Sequence, residues 1–121
     1  MKVRNVTIKV ESLRDGLRDF AQTYKKLQRR EKVEPGEIVS FETVEVMREI
    51  LTKERLRILK AVREKEPKTI YALAKLLHRP YANVYNDVKR LAQMGLIDLG
   101  KERGVSRPKA KYERLNISIP V

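Results

Sequence analysis

Polar side chains between residues 80 and 93 have the types and the spacing that bind the edges of nucleic-acid bases. If this stretch forms an α-helix, Val84, Val88 and Leu91 share one apolar stripe. The outward side then carries amides and cations, with one carboxylate, Asp87, nearer the core edge: Asn83, Asn86, Lys89, Arg90 and Gln93. Amides pair bidentately with adenine, and cations suit guanine or phosphate. This pattern predicts a recognition helix, and an ordinary solvated helix surface is the alternative.

A shorter helix precedes this stretch and would position it. Apolar residues recur at the spacing of one buried helix face at Ile70, Leu73, Ala74 and Leu77. Thr69 stands at the N-cap position, and Pro80 pushes Arg79 out of the helical region. We therefore expect the first helix to end near Leu77 and the second to begin at Pro80, with Arg79 as its N-cap. Tyr81 is expected to pack against the helix pair.

The residues after the second helix indicate a β-hairpin. Gly95 suits a left-handed helix C-cap, and an extended segment begins at Leu96. Residues 101–109, KERGVSRPK, are expected to form a cationic loop. Residues 112–121 then return as a strand whose apolar members are Tyr112, Leu115, Ile117 and Ile119. Helix, turn, helix and hairpin follow the order of a winged helix, with the wing at residues 100–111.

Residues 51–97 and the basic hairpin after them resemble a known family. The segments LTKERLRIL and AKLLHRPYANVYNDVKRLAQMGLI are similar to archaeal and bacterial winged-helix regulators of the MarR-like group, above all a subgroup with NV…DV..L…GLI. The resemblance implies that the second helix enters the major groove and that the wing lies along the backbone or the minor groove. Some members of this subgroup are thought to accompany small toxins as antitoxin-like regulators.

Our leading hypothesis is a sequence-specific, double-stranded DNA-binding transcriptional regulator that forms a homodimer. Its predicted contacts comprise Asn83, Tyr85, Asn86, Lys89 and Arg90 in the major groove, Arg79 on phosphate, and Arg103, Arg107 and Lys109 on the wing. The alternative is an antitoxin-like module whose N-terminal strand and helix hold a small protein partner while the protein regulates its own gene. RNA binding is a third possibility, because charge alone does not separate DNA from RNA.

Charge and composition narrow the function classes. The 121 residues carry a net charge of +12, which predicts a polyanionic partner. Residues 67–121 hold 11 basic against 4 acidic residues, so the excess collects on the proposed DNA-reading part. Charged residues make up 36% of the chain, which fits a heat-adapted protein with many ion pairs.

The chain offers little for catalysis or metal binding. It has no cysteine and one histidine, His78, which is expected to be exposed in the turn, so disulfides and thiolate metal sites are excluded. No phosphate loop, nucleophile beside a histidine, or carboxylate cluster is readable, so we expect no enzyme activity, metal or cofactor. No apolar run reaches the length of a bilayer span and the first residues lack a signal-peptide pattern, so we predict a cytoplasmic protein without a membrane partner.

The N-terminal third predicts a strand and a helix. Val6, Ile8 and Val10 alternate as in a half-buried strand, which could pair with the C-terminal strand of the same chain or of a second subunit. Ser12 and Asp15 have capping-box spacing at the start of a helix that runs to about residue 30. Its apolar stripe, a candidate for dimerisation or partner binding, comprises Leu13, Leu17, Phe20, Ala21, Tyr24 and Leu27.

A polar segment with the turn signal Pro35-Gly36 is the best internal boundary. Ile38 and Val39 are expected in a short strand. Two further helices should follow, the first capped by Ser40 and carrying Val44, Met47 and Ile50, the second capped by Thr52 and carrying Leu56, Ile58, Leu59 and Val62. The prediction is thus an α+β chain with an N-terminal extension, residues 1–37, and a winged helix-turn-helix domain, residues 38–121.

Overall fold

The computed structural model describes residues 4–30 and 37–121, apart from the side chain of Glu102. The chain is α+β, as predicted, and its predicted turn at Pro35-Gly36 lies outside the described residues. Its elements in chain order are β1 (Asn5–Val10), α1 (Leu13–Gln28), β2 (Glu37–Phe41), α2 (Val44–Ile50), α3 (Lys53–Lys65), α4 (Ile70–Leu77), α5 (Tyr81–Gln93), β3 (Ile97–Glu102), β4 (Val105–Ala110) and β5 (Arg114–Ser118). Among the helices in these two ranges, none combines the length and the apolar character that a membrane crossing requires.

The chain divides into two compact units. The sheet unit comprises residues 5–49 and 114–121, and the helical unit comprises Arg4 and residues 50–113. In the sheet unit three parallel strands lie in the order β2-β1-β5. On one side, the N-terminal strand therefore pairs with the C-terminal strand of the same chain, with Val6 opposite Leu115 and Ile8 opposite Ile117. These two units do not coincide with the predicted segments 1–37 and 38–121. The reason is that β5, from the C-terminal end of the chain, completes the sheet that contains β1.

In the sheet unit the predicted strands β1 and β2 are confirmed, but the predicted N-cap of α2 is wrong. Alternate residues of β1, namely Val6, Ile8 and Val10, are buried, and β2 forms where a short strand was expected. The prediction that Ser40 caps α2 is wrong, because Ser40 lies in β2 opposite Lys9. Its hydroxyl donates to Glu11 Oε1 at 3.1 Å. The cap is made by Thr43, whose Oγ1 accepts from the Val46 N–H at 3.2 Å.

Helix α1 begins as the sequence predicts and buries none of its side chains. Ser12 is its N-cap, with Oγ accepting from the Asp15 N–H at 3.2 Å. The helix ends at Gln28, before the predicted end, and Arg30 adopts a left-handed conformation with φ 57°. Its apolar stripe is 55–73% exposed. We name this stripe the α1 seam: Leu13, Leu17, Phe20, Tyr24 and Leu27.

The helical unit packs α3, α4 and α5 around one core. Thr52 and Thr69 cap α3 and α4, as predicted, by accepting from the N–H groups of Arg55 and Ala72. The buried side chains from the three helices are Ile58, Val62, Ile70, Leu73, Ala74, Leu77, Val84, Val88 and Leu91. The prediction that Leu56 belongs to the buried stripe of α3 is wrong. Leu56 is exposed, because it precedes Ile58 by two residues and so lies about 200° away from it around the helix.

The turn between α4 and α5 differs from its prediction by one residue. His78 is exposed and left-handed, with φ 53°, and it closes α4 as the N–H of Arg79 donates to Ala74 O at 3.1 Å. Pro80 is extended, with ψ 139°, so it is the N-cap and α5 begins at Tyr81. The prediction that Arg79 caps a helix beginning at Pro80 is therefore wrong.

The hairpin of the helical unit has shorter strands than predicted. Strands β3 and β4 are antiparallel from Ile97 opposite Ala110 to Glu102 opposite Val105. Arg103 and Gly104, both at positive φ, form the two-residue tip, as a type I′ turn requires. The predicted cationic loop is therefore mostly strand, and the returning strand is β4 rather than residues 112–121. Strand β4 carries charged residues at alternate positions and few apolar ones, so its sequence does not show the hydrophobic alternation that predicts a strand.

We expect Gly95→Ala to lower the free energy of unfolding by about 1 kcal/mol, because Gly95 has φ +77° and a side chain there is strained. Its N–H donates to Ala92 O and the next N–H, of Leu96, donates to Leu91 O, both at 3.0 Å, so this conformation closes α5. A Cβ at Gly95 would meet no atom within 4 Å, so the cost arises in the backbone. Urea unfolding measures it.

Gly100→Ala is the matched control for Gly95→Ala. A Cβ at Gly100 would touch only the Lys109 side chain, at 3.7 Å, which is ordinary van der Waals contact. We expect little change in stability at this position. Equal losses for the two variants would contradict the conformational argument.

Candidate nucleic-acid interface

Helix α5 separates its buried and polar sides sharply. Val84, Val88 and Leu91 are completely buried. The five predicted major-groove contacts are all exposed, as is Gln93 on the outward face: Asn83, Tyr85, Asn86, Lys89 and Arg90. Over residues 4–30 and 37–121, the side chains of Asn83, Asn86 and Arg90 form no hydrogen bond or ion pair. Their donors and acceptors are therefore available to a ligand.

Asp87 anchors α5 through an ion-pair network that sequence reasoning missed. Arg55 Nε donates to Asp87 Oδ1 at 3.1 Å, and Arg79 Nη1 donates to Oδ2 at 3.0 Å. Arg55 also donates to the carbonyl of Ile50 at 2.8 Å, and Arg79 Nε lies 3.6 Å from Glu54. Asp87 thus ties α5 to α3 and to the α4–α5 turn. The sequence feature that could have indicated this network is the single carboxylate, Asp87, near the core edge of α5.

The same network holds the side chain of Arg79, a residue that the sequence predicts to contact phosphate. Its side chain is only 20% exposed and lies between two carboxylates. A guanidinium held in this way is suited to positioning the turn before α5. Direct contact with a phosphate would have to compete with Asp87 and Glu54.

Three tyrosines form a row of neighbouring rings on α4 and α5. The ring centroids of Tyr71 and Tyr81 are 6.4 Å apart, and those of Tyr81 and Tyr85 are 5.9 Å apart. Tyr81, expected to pack against the helix pair, is 48% exposed; it stacks on Tyr85 at an interplanar angle of 28° and is tilted by 47° from Tyr71. Lys75 and Lys89 lie over the outer rings, with Nζ 5.1 Å from the Tyr71 centroid and 5.4 Å from the Tyr85 centroid. Sequence reasoning missed Tyr71 and Lys75, whose spacing of four residues on one helix was the available signal.

The hairpin carries its predicted cations on one face and at its tip. Arg107 and Lys109 are on the same side of β4, opposite Gly100 and Asp98. Lys109 is exposed and Arg107 is half-buried. Arg103 is exposed in the tip. The three side chains are therefore spread along the hairpin.

A basic groove of about 650 Å³ lies beside β4 in the helical unit. Five cationic residues line it, together with Tyr112, Glu66 and Glu113: Arg4, Arg63, Arg107, Lys109 and Lys111. The guanidinium of Arg4 and the ammonium of Lys111 lie 5.8 and 5.7 Å from the Tyr112 ring centroid. Two predicted wing residues thus join three cations that the sequence pattern did not connect with them.

In the described part of the chain, no group of three acidic or histidine side chains could hold a metal ion.

The fold and this surface define a small α+β protein whose helical unit presents an amide-bearing and cationic helix face. The chain belongs to the HVO_A0114 family, whose model matches residues 50–117, more than half of the chain. The matched segment contains α3, α4, α5, β3 and β4, and hence every residue that the sequence predicts to contact DNA, from Arg79 to Lys109. No curated protein matches the chain.

Proposed function

We propose that this protein is a sequence-specific, double-stranded DNA-binding transcriptional regulator of the MarR-like, winged helix-turn-helix type that works in the cytoplasm. In this proposal α4 and α5 are the helix-turn-helix, α5 enters the major groove, and the β3–β4 hairpin is the wing. The observation that carries the proposal is the asymmetry of α5. Its aliphatic side is completely buried, while the side chains of Asn83, Asn86 and Arg90 are exposed and form no hydrogen bond or ion pair with the described residues.

The exposed residues of α5 divide by chemistry into base-reading and cationic contacts. Asn83 and Asn86 have the donor and acceptor pair that reads adenine, and Arg90 can read guanine bidentately. The wing cations, Arg103, Arg107 and Lys109, would contact the backbone or a narrow minor groove. The basic groove beside β4 adds positive potential on the same unit and supports a polyanionic ligand.

Selection of bound duplexes from a random pool tests the function directly. A regulator of this kind should enrich one motif, and a two-fold symmetric motif would reveal both specificity and a dimer. Failure to enrich any sequence, or equal binding of RNA and DNA of the same length, would reject the proposal.

On the selected duplex, we expect Asn86→Ala to cost about 1–3 kcal/mol of binding free energy and to relax specificity at one base position. The reason is that an amide pairing with a base edge cannot be replaced by alanine. Asn116→Ala, on β5, is the control because Asn116 is also exposed but lies in the sheet unit. Titrations against the selected motif and its single-base variants measure both effects, and identical affinities for the two variants would contradict the placement of α5.

We also propose that the regulator is a homodimer joined through the α1 seam. The seam residues follow intervals of four, three, four and three, which is the spacing of a two-helix coiled-coil interface. Apart from Arg14, the flanking positions hold small or uncharged residues, including Gly16, Ala21 and Thr23, so little charge repulsion opposes the approach of two such helices. The seam exposes on the order of 500 Å² of mainly apolar side chain, a large share of the roughly 800 Å² per partner that a stable interface buries.

An antitoxin-like function is the second candidate, because the same exposed seam could hold a small protein partner. Copurification of the full chain with a small partner, lost on changing the α1 seam and unaccompanied by promoter binding, would favour it. Self-association of the purified protein together with an enriched DNA motif would count against it.

A further inference from the structure

The row of tyrosine rings on α4 and α5 has a lysine at each end. We name it the tyrosine ladder: Lys75, Tyr71, Tyr81, Tyr85 and Lys89. All members belong to the helical unit. Its rings are 36–59% exposed, so their position at the surface needs an explanation other than core packing.

Every ring of the ladder already has two neighbours. Tyr81 lies between two other rings, and each outer ring has a tyrosine neighbour and a lysine ammonium over it. A base that stacked on one of these rings would have to compete with those neighbours. The phenolic hydroxyls, by contrast, form no hydrogen bond within residues 4–30 and 37–121. The groups that the ladder offers to a ligand are therefore hydroxyl donors and ammonium ions.

The position of the ladder on α5 suggests which ligand atoms it meets. Tyr81, Tyr85 and Lys89 are each four residues apart, so they form a line along the helix. Asn86 follows Tyr85 and is rotated about 100° from it around the same helix. A duplex whose base edges face Asn86 therefore has a backbone strand beside this line. Tyrosine hydroxyls and lysines are common phosphate ligands in protein–DNA interfaces.

We propose that the tyrosine ladder binds successive backbone phosphates of one strand of duplex DNA, with its hydroxyls donating hydrogen bonds and its lysines pairing with the charges. This inference rests on the proposed function and deepens it. It moves Tyr85 and Lys89 from base contacts to backbone contacts, and it supplies phosphate ligands in place of Arg79, whose guanidinium is held by Asp87 and Glu54.

Removing single hydroxyl groups tests the ladder without removing its rings. Tyr71→Phe, Tyr81→Phe and Tyr85→Phe should each weaken binding about two- to tenfold, to the selected duplex and to an unrelated duplex alike. Because no charge is lost, the dependence of affinity on salt should stay unchanged. Lys75→Gln should also weaken both duplexes, and it should lower the slope of log affinity against log salt by about 0.9.

Two matched variants control for general effects of these changes. Ser118→Ala removes an exposed hydroxyl of β5 in the sheet unit, and Lys60→Gln removes an exposed lysine of α3. Neither should alter DNA affinity or its salt dependence. Thermal unfolding of every variant, expected to match the original protein, verifies that binding changes do not reflect unfolding.

The possible failures are distinguishable. If the three phenylalanine variants bind as tightly as the original protein while Asn86→Ala binds more weakly, the ladder proposal is overturned and the proposed function stands. If binding to single strands survives Tyr81→Phe but is lost with Tyr81→Leu, the rings stack on bases and the ladder proposal is overturned. If the original protein enriches no duplex, the proposed function itself fails.

Discussion

Phe20→Glu is expected to convert the proposed homodimer into monomers and to weaken binding to a two-half-site operator by at least about 100-fold. Phe20 is the central residue of the α1 seam and is 72% exposed in the single chain. An aromatic anchor at an interface contributes about 2 kcal/mol or more, and a symmetric dimer contains it twice. The dimerisation constant should therefore weaken by about 1,000-fold. Sedimentation over a concentration series, with operator titrations, measures both changes.

The fold should tolerate this substitution, because no residue of α1 is buried. Gln22→Glu adds the same charge on the opposite side of the helix and should leave the dimer intact, which separates loss of the seam from electrostatic repulsion of DNA. Persistence of a dimer in Phe20→Glu would exclude the α1 seam as its interface. A monomeric original protein at operator-binding concentrations would exclude the homodimer altogether.

Asp87→Asn is expected to lower the free energy of unfolding by about 2 kcal/mol, because it leaves the guanidinium groups of Arg55 and Arg79 without their shared charge partner. The side chains of Asp87, Arg55 and Arg79 are 16–20% exposed, so water screens the pairs only in part. The residual exposure keeps the expected loss below that of a fully buried pair. Chemical unfolding should show a lower midpoint with an unchanged slope.

Asp98→Asn provides the comparison for Asp87→Asn, since Asp98 is an exposed aspartate of β3 in the same unit. A surface carboxylate contributes little to stability, so we expect a change within about 0.5 kcal/mol. If Asp87→Asn is as stable as Asp98→Asn, the network does not anchor α5. Arg79 would then be free to contact a phosphate without losing a stabilising ion pair.

Local signals in the sequence determined the helices and the sides of α5. Thr52 and Thr69 cap the helices that follow them, and Gly95 closes α5, because these interactions span only a few residues. The stripe of Val84, Val88 and Leu91 is buried because helical periodicity alone sets which residues share a face. The exposure of the polar residues of α5 followed from the same rule.

Local signals were insufficient where several segments fit the same pattern. Ser40 resembles a helix cap, but pairing between β1 and β2 places it in a strand. Strand β4 alternates charged residues with Ser106, Pro108 and Ala110, so its hydrophobic pattern is too weak to predict a strand. The C-terminal segment has a clearer pattern and was assigned to the hairpin in its place.

Tertiary structure alone decided which distant residues meet. The parallel pairing of β1 with β5 depends on segments more than a hundred residues apart, and alternation in a strand does not specify its partner. Asp87 and Arg55 belong to different helices, and Tyr71 meets Tyr81 across the α4–α5 turn. A residue's type and its position on a helix follow from the sequence, but its neighbours on another element depend on how the elements pack.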